Sequence, residues 1–309
     1  MRQPQVVRDD SLPERIMIYE VGPRDGLQNE QAVVPLQTKA EFVSRLVAAG
    51  LPIVEVTSFV HPKWVPQLAD ADDLLDLVDH TGPVPMPVLV PNERGLERAL
   101  RKGATHVAIF GSATETFAQR NLNRSLDQQF AMFEPVVARA NAAGMQVRAY
   151  VSMCFGDPWE GEVSIEQVVD VGRRMFDLGA SQLSLGDTIG VGTPGHVTAL
   201  LSAFTDAGLG PDSLAMHFHD TYGQALSNAA AALKGGVTTF DASAGGLGGC
   251  PYAESATGNL ATEDLVWMLH GLGVQTGVDL PQLVATSTWM AEQLGRPSPS
   301  RVVAALSGS

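Results

Sequence analysis

The sequence predicts an α/β fold, namely a (β/α)8 TIM barrel with an additional C-terminal helix and tail. Short β-rich runs alternate with amphipathic segments of helix length through most of the 309 residues. Eight such strand–helix units occupy about 255 residues, the usual size of this barrel. A doubly wound sheet usually has fewer strands and a glycine-rich fingerprint after the first one, and the sequence GPRDG at 22–26 is not such a fingerprint.

The predicted elements follow one another regularly. Strands are predicted at residues 16–20, 53–57, 84–90, 105–110, 146–152, 182–185, 214–218 and 237–242. Helices are predicted at about 37–49, 70–79, 93–102, 125–143, 165–178, 194–207, 224–234 and 262–270. Pro85 and Pro87 make the third strand irregular, because proline cannot donate to a ladder. Gly103 and Gly144 directly follow helices, where C-caps favour glycine.

The chain is predicted to form one domain over 1–309. The barrel covers about 16–271, and a helical extension covers about 272–309, with one helix at about 280–294. No linker or low-complexity segment interrupts the pattern. We expect the extension to pack across the barrel or to cover its mouth.

Composition excludes several classes of protein. The formal net charge of -14 argues against nucleic acid or an anionic membrane as a partner. Cys154 and Cys250 are far apart, so no disulfide framework is expected and a reducing compartment is favoured. No apolar run reaches the length of a membrane span. The first 15 residues lack a signal-peptide core and contain three acidic residues, which predicts a cytoplasmic location.

In such a barrel, the functional groups come from the carboxyl ends of the strands. Seven of the eight predicted strands are followed there by polar or glycine-rich segments. They contribute Arg24, Asp25, Gln28, Glu55, Ser58, His61, Asn92, Tyr150, Ser152, Asp187, Thr188, His217, His219, Gly248, Gly249, Cys250 and Asn259. This clustering at one rim is stronger evidence for a site than any single motif.

Four of these residues form a candidate metal site. His217 and His219 are two apart on a strand, so both imidazoles face the same way. Together with Asp25 and Asn259 they offer two nitrogens and two oxygens, which suits an octahedral divalent cation with open positions. Mg2+ prefers oxygens and Mn2+ accepts imidazole more readily, so both ions stay open.

Each of these residues also has a structural alternative. The two histidines could form an ordinary hydrogen-bonded pair. Asp25 could cap the turn before Gly26, and Asn259 could be the N-cap of a helix that starts near Leu260. The interpretation as a metal site requires that the fold bring the four residues together.

Two further residues have a predicted chemical role. Arg24 can hold a carboxylate or a developing enolate oxygen, and its alternative role is an ion pair with Glu55 or Asp187. Cys250 lies in a loop dense in glycine, where a thiol can act as a proton donor or nucleophile. The alternative for Cys250 is an inert buried thiol, which is the role we expect for Cys154.

Several long motifs carry a family resemblance. They are EVGPRDGLQNE at 20–30, TSFV at 57–60, PKWVPQ at 62–67, SLGDTIGVG at 184–192, HFHDTYGQ at 217–224 and GLGGCPY at 246–252. Their order and residues resemble the 3-hydroxy-3-methylglutaryl-CoA lyases over about 16–300. The resemblance implies a metal-dependent TIM-barrel lyase that cleaves this thioester to acetyl-CoA and acetoacetate.

The resemblance also assigns roles by position. Asp25, His217, His219 and Asn259 match the family's metal ligands. Catalytic or supporting roles fall to Arg24, Glu55, Asp187, His219 and Cys250. Substrate contacts are expected from Arg24, Gln28, Tyr150, Gly248 and Gly249.

The implied reaction removes a proton from a tertiary alcohol and stabilises a thioester enolate. His219 or Asp25 would be the base, Arg24 would stabilise enolate charge, and Cys250 would protonate the product. The phosphates of the acyl-CoA substrate need cations, for which the candidates are Lys63, Arg120, Arg124, Arg296 and Arg301. A homodimer is expected only by family analogy.

Some features depart from the family, and rivals remain. The segment 153–159 diverges, and its Phe155 and Trp159 are expected to reshape the acyl pocket. The end of the sequence, LSGS, carries no peroxisomal signal, which favours a bacterial, cytoplasmic member. The rivals are a lyase for another branched 3-hydroxyacyl-CoA, a condensing enzyme or aldolase on the same barrel, and a non-catalytic CoA-ester or metal-binding protein. Cys250 and the chain length argue against the condensing enzymes.

Overall fold

Eight parallel strands surround a common axis in the computed structural model, which describes residues 3–249 and 258–307. The strands are β1 (Met17–Glu20), β2 (Ile53–Val54 with Thr57–Ser58), β3 (Val88–Leu89), β4 (His106–Ser112), β5 (Gln146–Ser152), β6 (Gln182–Asp187), β7 (Leu214–Phe218) and β8 (Thr239–Ala242). Each strand pairs in parallel with the next, and β8 returns to β1, with Tyr19 opposite Asp241. The predicted TIM-type barrel is confirmed.

The two short pieces of β2 close the barrel. Ile53 pairs with Tyr19 of β1, and Thr57 pairs with Val88 of β3. Between the pieces, the amide of Glu55 donates to the carbonyl of Glu20 at 2.8 Å. The segment 53–58 is therefore one extended strand that joins the first strand to the third.

The third strand is shorter than predicted. Only Val88–Leu89 is a regular strand, whereas the sequence pattern extends over 84–90. Pro85 and Pro87 cannot donate, but their carbonyls accept from the amides of Val54 and Val56 at 3.1 and 3.0 Å. Each proline thus lacks the hydrogen bond that an amide would donate but keeps the one that its carbonyl accepts.

The helices are α1 (Leu36–Ala48), α2 (Ala71–Leu77), α3 (Glu93–Arg101), α4 (Glu115–Leu122), α5 (Leu126–Ala142), α6 (Ile165–Asp177), α7 (Pro194–Asp206), α8 (Ala225–Lys234), α9 (Thr262–Gly271), α10 (Leu280–Leu294) and α11 (Arg301–Ser307). The sequence did not predict α4 and α11, because each is too short to show a clear helical period. Gly103 and Gly144 have φ of 72° and 74°, as expected of C-caps.

Side chains alternate between two environments along the strands. On β5, Val147 and Val151 belong to the main apolar core between the sheet and its helices. Arg148 and Tyr150 lie between them in sequence and face the barrel axis, where they contact each other. The barrel interior is therefore polar toward the carboxyl ends of the strands, and the candidate site lies there.

The C-terminal extension packs over the base of the glycine-dense loop. Helix α10 begins at the cap Asp279, whose side chain accepts from the amide of Gln282 at 3.0 Å. After α10, the Ser298 hydroxyl donates to the carbonyl of Gly245 at 2.8 Å. Within the described part of the chain, no helix is both long enough and apolar enough to span a membrane.

Candidate active site

Three predicted metal ligands come together at the carboxyl end of the barrel. Asp25, His217 and His219 each present one ligand atom, and these atoms lie within 4.8 Å of one another. The two imidazole centroids are 5.3 Å apart. Asn259 joins the group, since its Nδ2 donates to Oδ2 of Asp25 at 2.8 Å. The sequence places these four residues up to 234 positions apart, and the fold gathers them.

Local structure explains how each ligand reaches the site. Asp25 lies in a turn of π-helix, Gly22–Gly26, which directly follows β1. The carboxylate of Glu20 holds this turn by accepting from the amide of Gly22 at 2.8 Å. A Cβ on Gly22 would approach that carboxylate to 2.6 Å, so the tight turn requires glycine.

The histidines and Asn259 are positioned by backbone pairing. His217 is the penultimate residue of β7 and His219 directly follows the strand, while Phe218 between them packs into the apolar core. His219 forms a backbone bridge with Asn259, and the amide of Leu260 donates to the carbonyl of Phe218 at 2.8 Å. Asn259 is not a helix N-cap, because α9 starts at Thr262.

The donor set fits a divalent cation. Asn259 is 4% exposed, and its buried Oδ1 has no hydrogen-bond partner among the described residues. Leaving such an atom unpaired costs about 1–3 kcal/mol, so an oxygen in this position calls for a cation or a donor. With the carboxylate of Asp25 and two imidazoles, it forms a mixed oxygen and nitrogen set of the kind that Mg2+ or Mn2+ accepts.

Neighbouring charges keep Asp25 ionised. Burial alone would raise the pKa of this carboxyl group, but the Arg24 guanidinium and the two histidines act more strongly in the opposite direction. The pKa of Asp25 consequently falls to about 2. A carboxylate that is charged at neutral pH is what a metal ligand requires.

Arg24 is anchored by two carboxylates. Its Nη1 donates to Oδ1 of Asp25 at 2.6 Å, and its Nε donates to Oε1 of Glu55. Glu55 is fully buried and also accepts from the Tyr150 hydroxyl. The predicted ion pair of Arg24 with Glu55 is present, and it uses Nε of the guanidinium.

Sequence reasoning missed three buried polar residues beneath the site. Asp241 on β8 is 2% exposed and contacts Nδ1 of His217 at 3.2 Å. It also accepts from Ser184 at 2.7 Å and from Arg148. The available signal was a charged residue inside each of two predicted strands, VRAYV and TTFDA.

Asp187 has a more local role than predicted. Its two carboxylate oxygens accept from the amides of Val191 and Gly192 at 2.9 and 3.0 Å. Burial raises the pKa of Asp187 to about 6, although these amide donors act in the opposite direction. The residue shapes the loop after β6, and its part in catalysis stays a prediction.

The glycine-dense loop is described up to Gly249. Gly248 has φ of 120°, and the carbonyl of Gly249 accepts from Nδ2 of Asn29 at 2.7 Å. Gln28 is half-buried beside the π-helical turn. The predicted proton donor Cys250 lies outside the described residues.

Tyr150 and Phe155 lie in different environments. Tyr150 is buried beneath Arg24, with the guanidinium carbon 5.2 Å from its ring centroid, and its contact with substrate stays a prediction. The effect of Phe155 on the acyl pocket also stays a prediction. Its ring packs 6.1 Å from that of Phe218 and 5.0 Å from that of His196, on the helix-facing side of the sheet. Because Phe218 alternates with the histidines, Phe155 faces away from their site.

The basic residues proposed for CoA differ in availability. Arg296 is paired with Glu30, and Arg120 lies 4.4 Å above the ring of Trp159. Three others are exposed, namely Lys63, Arg124 and Arg301. Their contacts with CoA stay predictions.

Comparisons with known proteins agree with this geometry. The family model described as HMGL-like matches residues 15–290. A mitochondrial hydroxymethylglutaryl-CoA lyase of Arabidopsis thaliana is 49% identical over 295 residues, which cover 96% of this chain and 63% of that protein. The mitochondrial enzyme of Rattus norvegicus is 48% identical, and the match covers 96% of this chain and 90% of the relative.

Solved structures give the same result. The HMG-CoA lyase of Bacillus subtilis superposes with a TM-score of 0.93 at 44% identity, covering 96% of this chain and 99% of that one. The Acinetobacter baumannii HMG-CoA lyase, solved with coenzyme A and 3-methylmalate, has a TM-score of 0.91 at 34% identity and covers 97% of both chains. The carboxyl transferase domain of Rhizobium etli pyruvate carboxylase, 17% identical over 92% of this chain and 48% of that one with a TM-score of 0.69, shares the fold alone. By sequence and by fold, the chain belongs to the HMGL-like family of hydroxymethylglutaryl-CoA lyases.

Proposed function

We propose that this chain cleaves 3-hydroxy-3-methylglutaryl-CoA to acetyl-CoA and acetoacetate with the help of a divalent cation. The observation that carries the proposal is the juxtaposition of Asp25, His217 and His219 with the anchored guanidinium of Arg24. This pair of features occurs in a chain that is 48–49% identical to hydroxymethylglutaryl-CoA lyases of a plant and an animal. A cation beside a fixed guanidinium suits a substrate that develops negative charge on oxygen.

The four ligand residues would hold Mg2+ or Mn2+, which supplies Lewis-acid polarisation of the substrate oxygens when bound. The base that takes the alcohol proton would be His219 or Asp25. Arg24 and Asn259 already donate to the two carboxylate oxygens of Asp25, which makes it the weaker base. A ligating imidazole has its only lone pair on the cation, so His219 would take the proton only while Asp25, His217 and Asn259 hold the cation.

Arg24 would stabilise the second half of the reaction. As the bond between the carbinol carbon and the thioester α-carbon breaks, the electron pair passes to the acetyl-CoA enolate. Glu55 and Asp25 fix the guanidinium of Arg24. Its remaining N–H groups would therefore be fixed donors for that charge. Cys250 would then return a proton to the α-carbon, which completes acetyl-CoA.

Product release from purified protein tests the proposal. The chain is incubated with hydroxymethylglutaryl-CoA together with Mg2+, Mn2+ or a chelator, beside a Cys250→Ala variant. We expect acetoacetate only with metal, and a loss of at least about 100-fold in kcat for the variant, since general acid catalysis contributes about 10²–10⁴-fold. Full turnover by Cys250→Ala would remove the thiol from the mechanism. Absence of acetoacetate with metal bound would redirect the search to another branched acyl group.

Three finer expectations belong to the same proposal. A cytoplasmic location is supported only in part, because the relatives include a mitochondrial and a cytoplasmic lyase of Rattus norvegicus. The homodimer rests on family analogy. An acyl-CoA partner is supported by the coenzyme A complex of the Acinetobacter baumannii relative.

A further inference from the structure

A continuous path of buried hydrogen bonds crosses the barrel below the candidate metal site. It begins at His217, passes through Asp241 and Arg148 to Tyr150, and continues through Glu55 to Arg24. Arg24 then contacts Asp25, whose Oδ2 lies 4.0 Å from Nε2 of His217. The path is thus a ring that starts and ends at the ligand cluster.

Asp241 is the member of this ring that contacts His217. Its Oδ1 accepts from Arg148, and its Oδ2 accepts from the Ser184 hydroxyl at 2.7 Å. The same Oδ2 lies 3.2 Å from Nδ1 of His217. The carboxylate is 2% exposed, so these three groups are its environment and water is largely excluded.

This contact favours one tautomer of the neutral His217 ring. An ionised carboxylate is only an acceptor, so Nδ1 carries the proton in their hydrogen bond. In a neutral imidazole, the lone pair is then on Nε2. That is the atom of His217 directed toward Asp25.

We propose that Asp241, fixed by Arg148 and Ser184, is a positioning residue that holds the lone pair of His217 in the metal site. The inference rests on the proposed metal-dependent function. It goes beyond it by assigning a role to barrel-interior residues that contact neither metal nor substrate. Burying an arginine and a carboxylate is costly unless each is well paired, and here the pair is used to orient a ligand.

Asp241→Asn is the informative substitution. Three donors converge on the two carboxylate oxygens, whereas asparagine has one acceptor oxygen and an NH2 group. At least one donor is therefore left without an acceptor. We expect the charged Arg148 to keep the oxygen, so that the NH2 group faces His217 and the Nδ1–H form is no longer favoured. We expect Mn2+ affinity to fall about 10- to 100-fold, as for other residues behind metal ligands.

The matched control is Asp157→Asn. Asp157 is also a buried carboxylate, 4% exposed, and it also accepts several hydrogen bonds, from Thr114, Trp159 and Glu160. It lies in the loop after β5 and contacts none of the four ligands. The same chemical change there should leave Mn2+ affinity at the wild-type value.

Mn2+ binding is measured by the paramagnetic resonance signal of the free ion, with thermal unfolding as the check on folding. Equal affinity in wild type and Asp241→Asn would overturn the inference and leave the proposed function standing. A wild type without Mn2+ affinity would overturn both.

A second measurement needs no variant. Long-range nitrogen–proton NMR spectra of metal-free, histidine-labelled wild type report which ring nitrogen of His217 carries the proton. We expect the Nδ1–H form. An Nε2–H form would overturn the role of Asp241, whether or not the asparagine variant folds.

Discussion

Two neighbouring carboxylates fix Arg24 by binding different nitrogens of its guanidinium. Nε is held by Glu55 and Nη1 by Asp25, and Arg24 is only 6% exposed. Opposite charges this close raise the pKa of Arg24 well above its usual value, although burial acts against them. The side chain is therefore a fixed cation with a defined orientation, and both properties should contribute to activity.

Arg24→Lys separates charge from orientation. Lysine keeps the positive charge but lacks the planar fork that binds both carboxylates at once. We expect kcat to fall about 10²–10³-fold, the usual cost of losing a fixed donor to developing charge, with Mn2+ affinity changed only a few-fold. Steady-state kinetics at saturating metal measures this.

Arg139→Lys serves as the control. Arg139 makes an exposed ion pair with Glu93 on the helical surface, and the substitution there should leave kcat unchanged. Equal kcat for Arg24→Lys and wild type would show that charge alone suffices.

At the scale of elements, the loop after β8 meets the turn after β1 through Asn259. Its amide donates to the carbonyl of Leu247 at 3.0 Å and to Asp25 at 2.8 Å. Gly248 passes so close that a Cβ there would lie 2.4 Å from Nδ2 of Asn259. The glycine at 248, predicted from sequence as a substrate contact, thus has a clear steric role as well.

Gly248→Ala should disturb the metal site through Asn259. The added methyl group must displace the amide, and φ of 120° is unfavourable for alanine. We expect a loss of about 1 kcal/mol or more in stability and a fall in Mn2+ affinity on the order of tenfold. Chemical unfolding and Mn2+ titration measure the two effects.

Gly144→Ala is the comparison for this variant. Gly144 also has positive φ, 74°, but a Cβ there would meet nothing within 4 Å. Its cost should be about 1 kcal/mol of stability with unchanged Mn2+ affinity. If both variants kept wild-type affinity, Gly248 would not act through Asn259.

On the scale of the whole molecule, two buried carboxyl groups hold the loop after β8, and one of them, Glu263, also joins it to helix α10 of the C-terminal extension. Glu20 accepts from the amides of Gly22 and Ala244 at 2.8 Å each. Glu263 accepts from the amide of Gly245 at 2.9 Å and from the Ser287 hydroxyl of α10. Burial raises the pKa of Glu20 to about 7 and that of Glu263 to about 8.

These raised pKa values make stability depend on pH. Below the unfolded value of 4.5, Glu263 is protonated in both states. Between that value and about 8, the unfolded chain releases the proton while the folded chain retains it, so the stability contributed by Glu263 is lost as pH rises. Above about 8 both states are ionised and the loss is complete.

Glu263→Gln should remove the part of this pH dependence that Glu263 contributes, because glutamine resembles the protonated acid and does not titrate. We expect its stability relative to wild type to increase by about 1 kcal/mol per pH unit between pH 5 and 8, and to level off above. Urea unfolding across this range measures it. Glu134→Gln, at an exposed position on α5, should run parallel to wild type. A parallel curve for Glu263→Gln itself would contradict the buried, protonated state.

Much of this organisation is readable from the sequence. The β5 and β7 bounds match the prediction, and the strand-to-helix alternation is strong because apolar periodicity is a local property. The site residues were found by asking which polar groups follow strands, since parallel strands in a barrel all end at the same rim. What the pattern missed were α4 and the short π-helical turn, whose boundaries depend on packing rather than on period.

The sequence by itself determined the barrel, the family and the set of residues at its rim. Only the tertiary structure decided what those residues do to one another. Asp241 and Arg148 are 93 positions apart, and nothing local predicts that they meet behind His217. The side of the sheet on which Phe155 lies was likewise decided by its packing against Phe218. The residue types determine which chemical groups the site contains. Which groups lie close together and how they are oriented depends on the closure of the barrel, in which β1 pairs with β8.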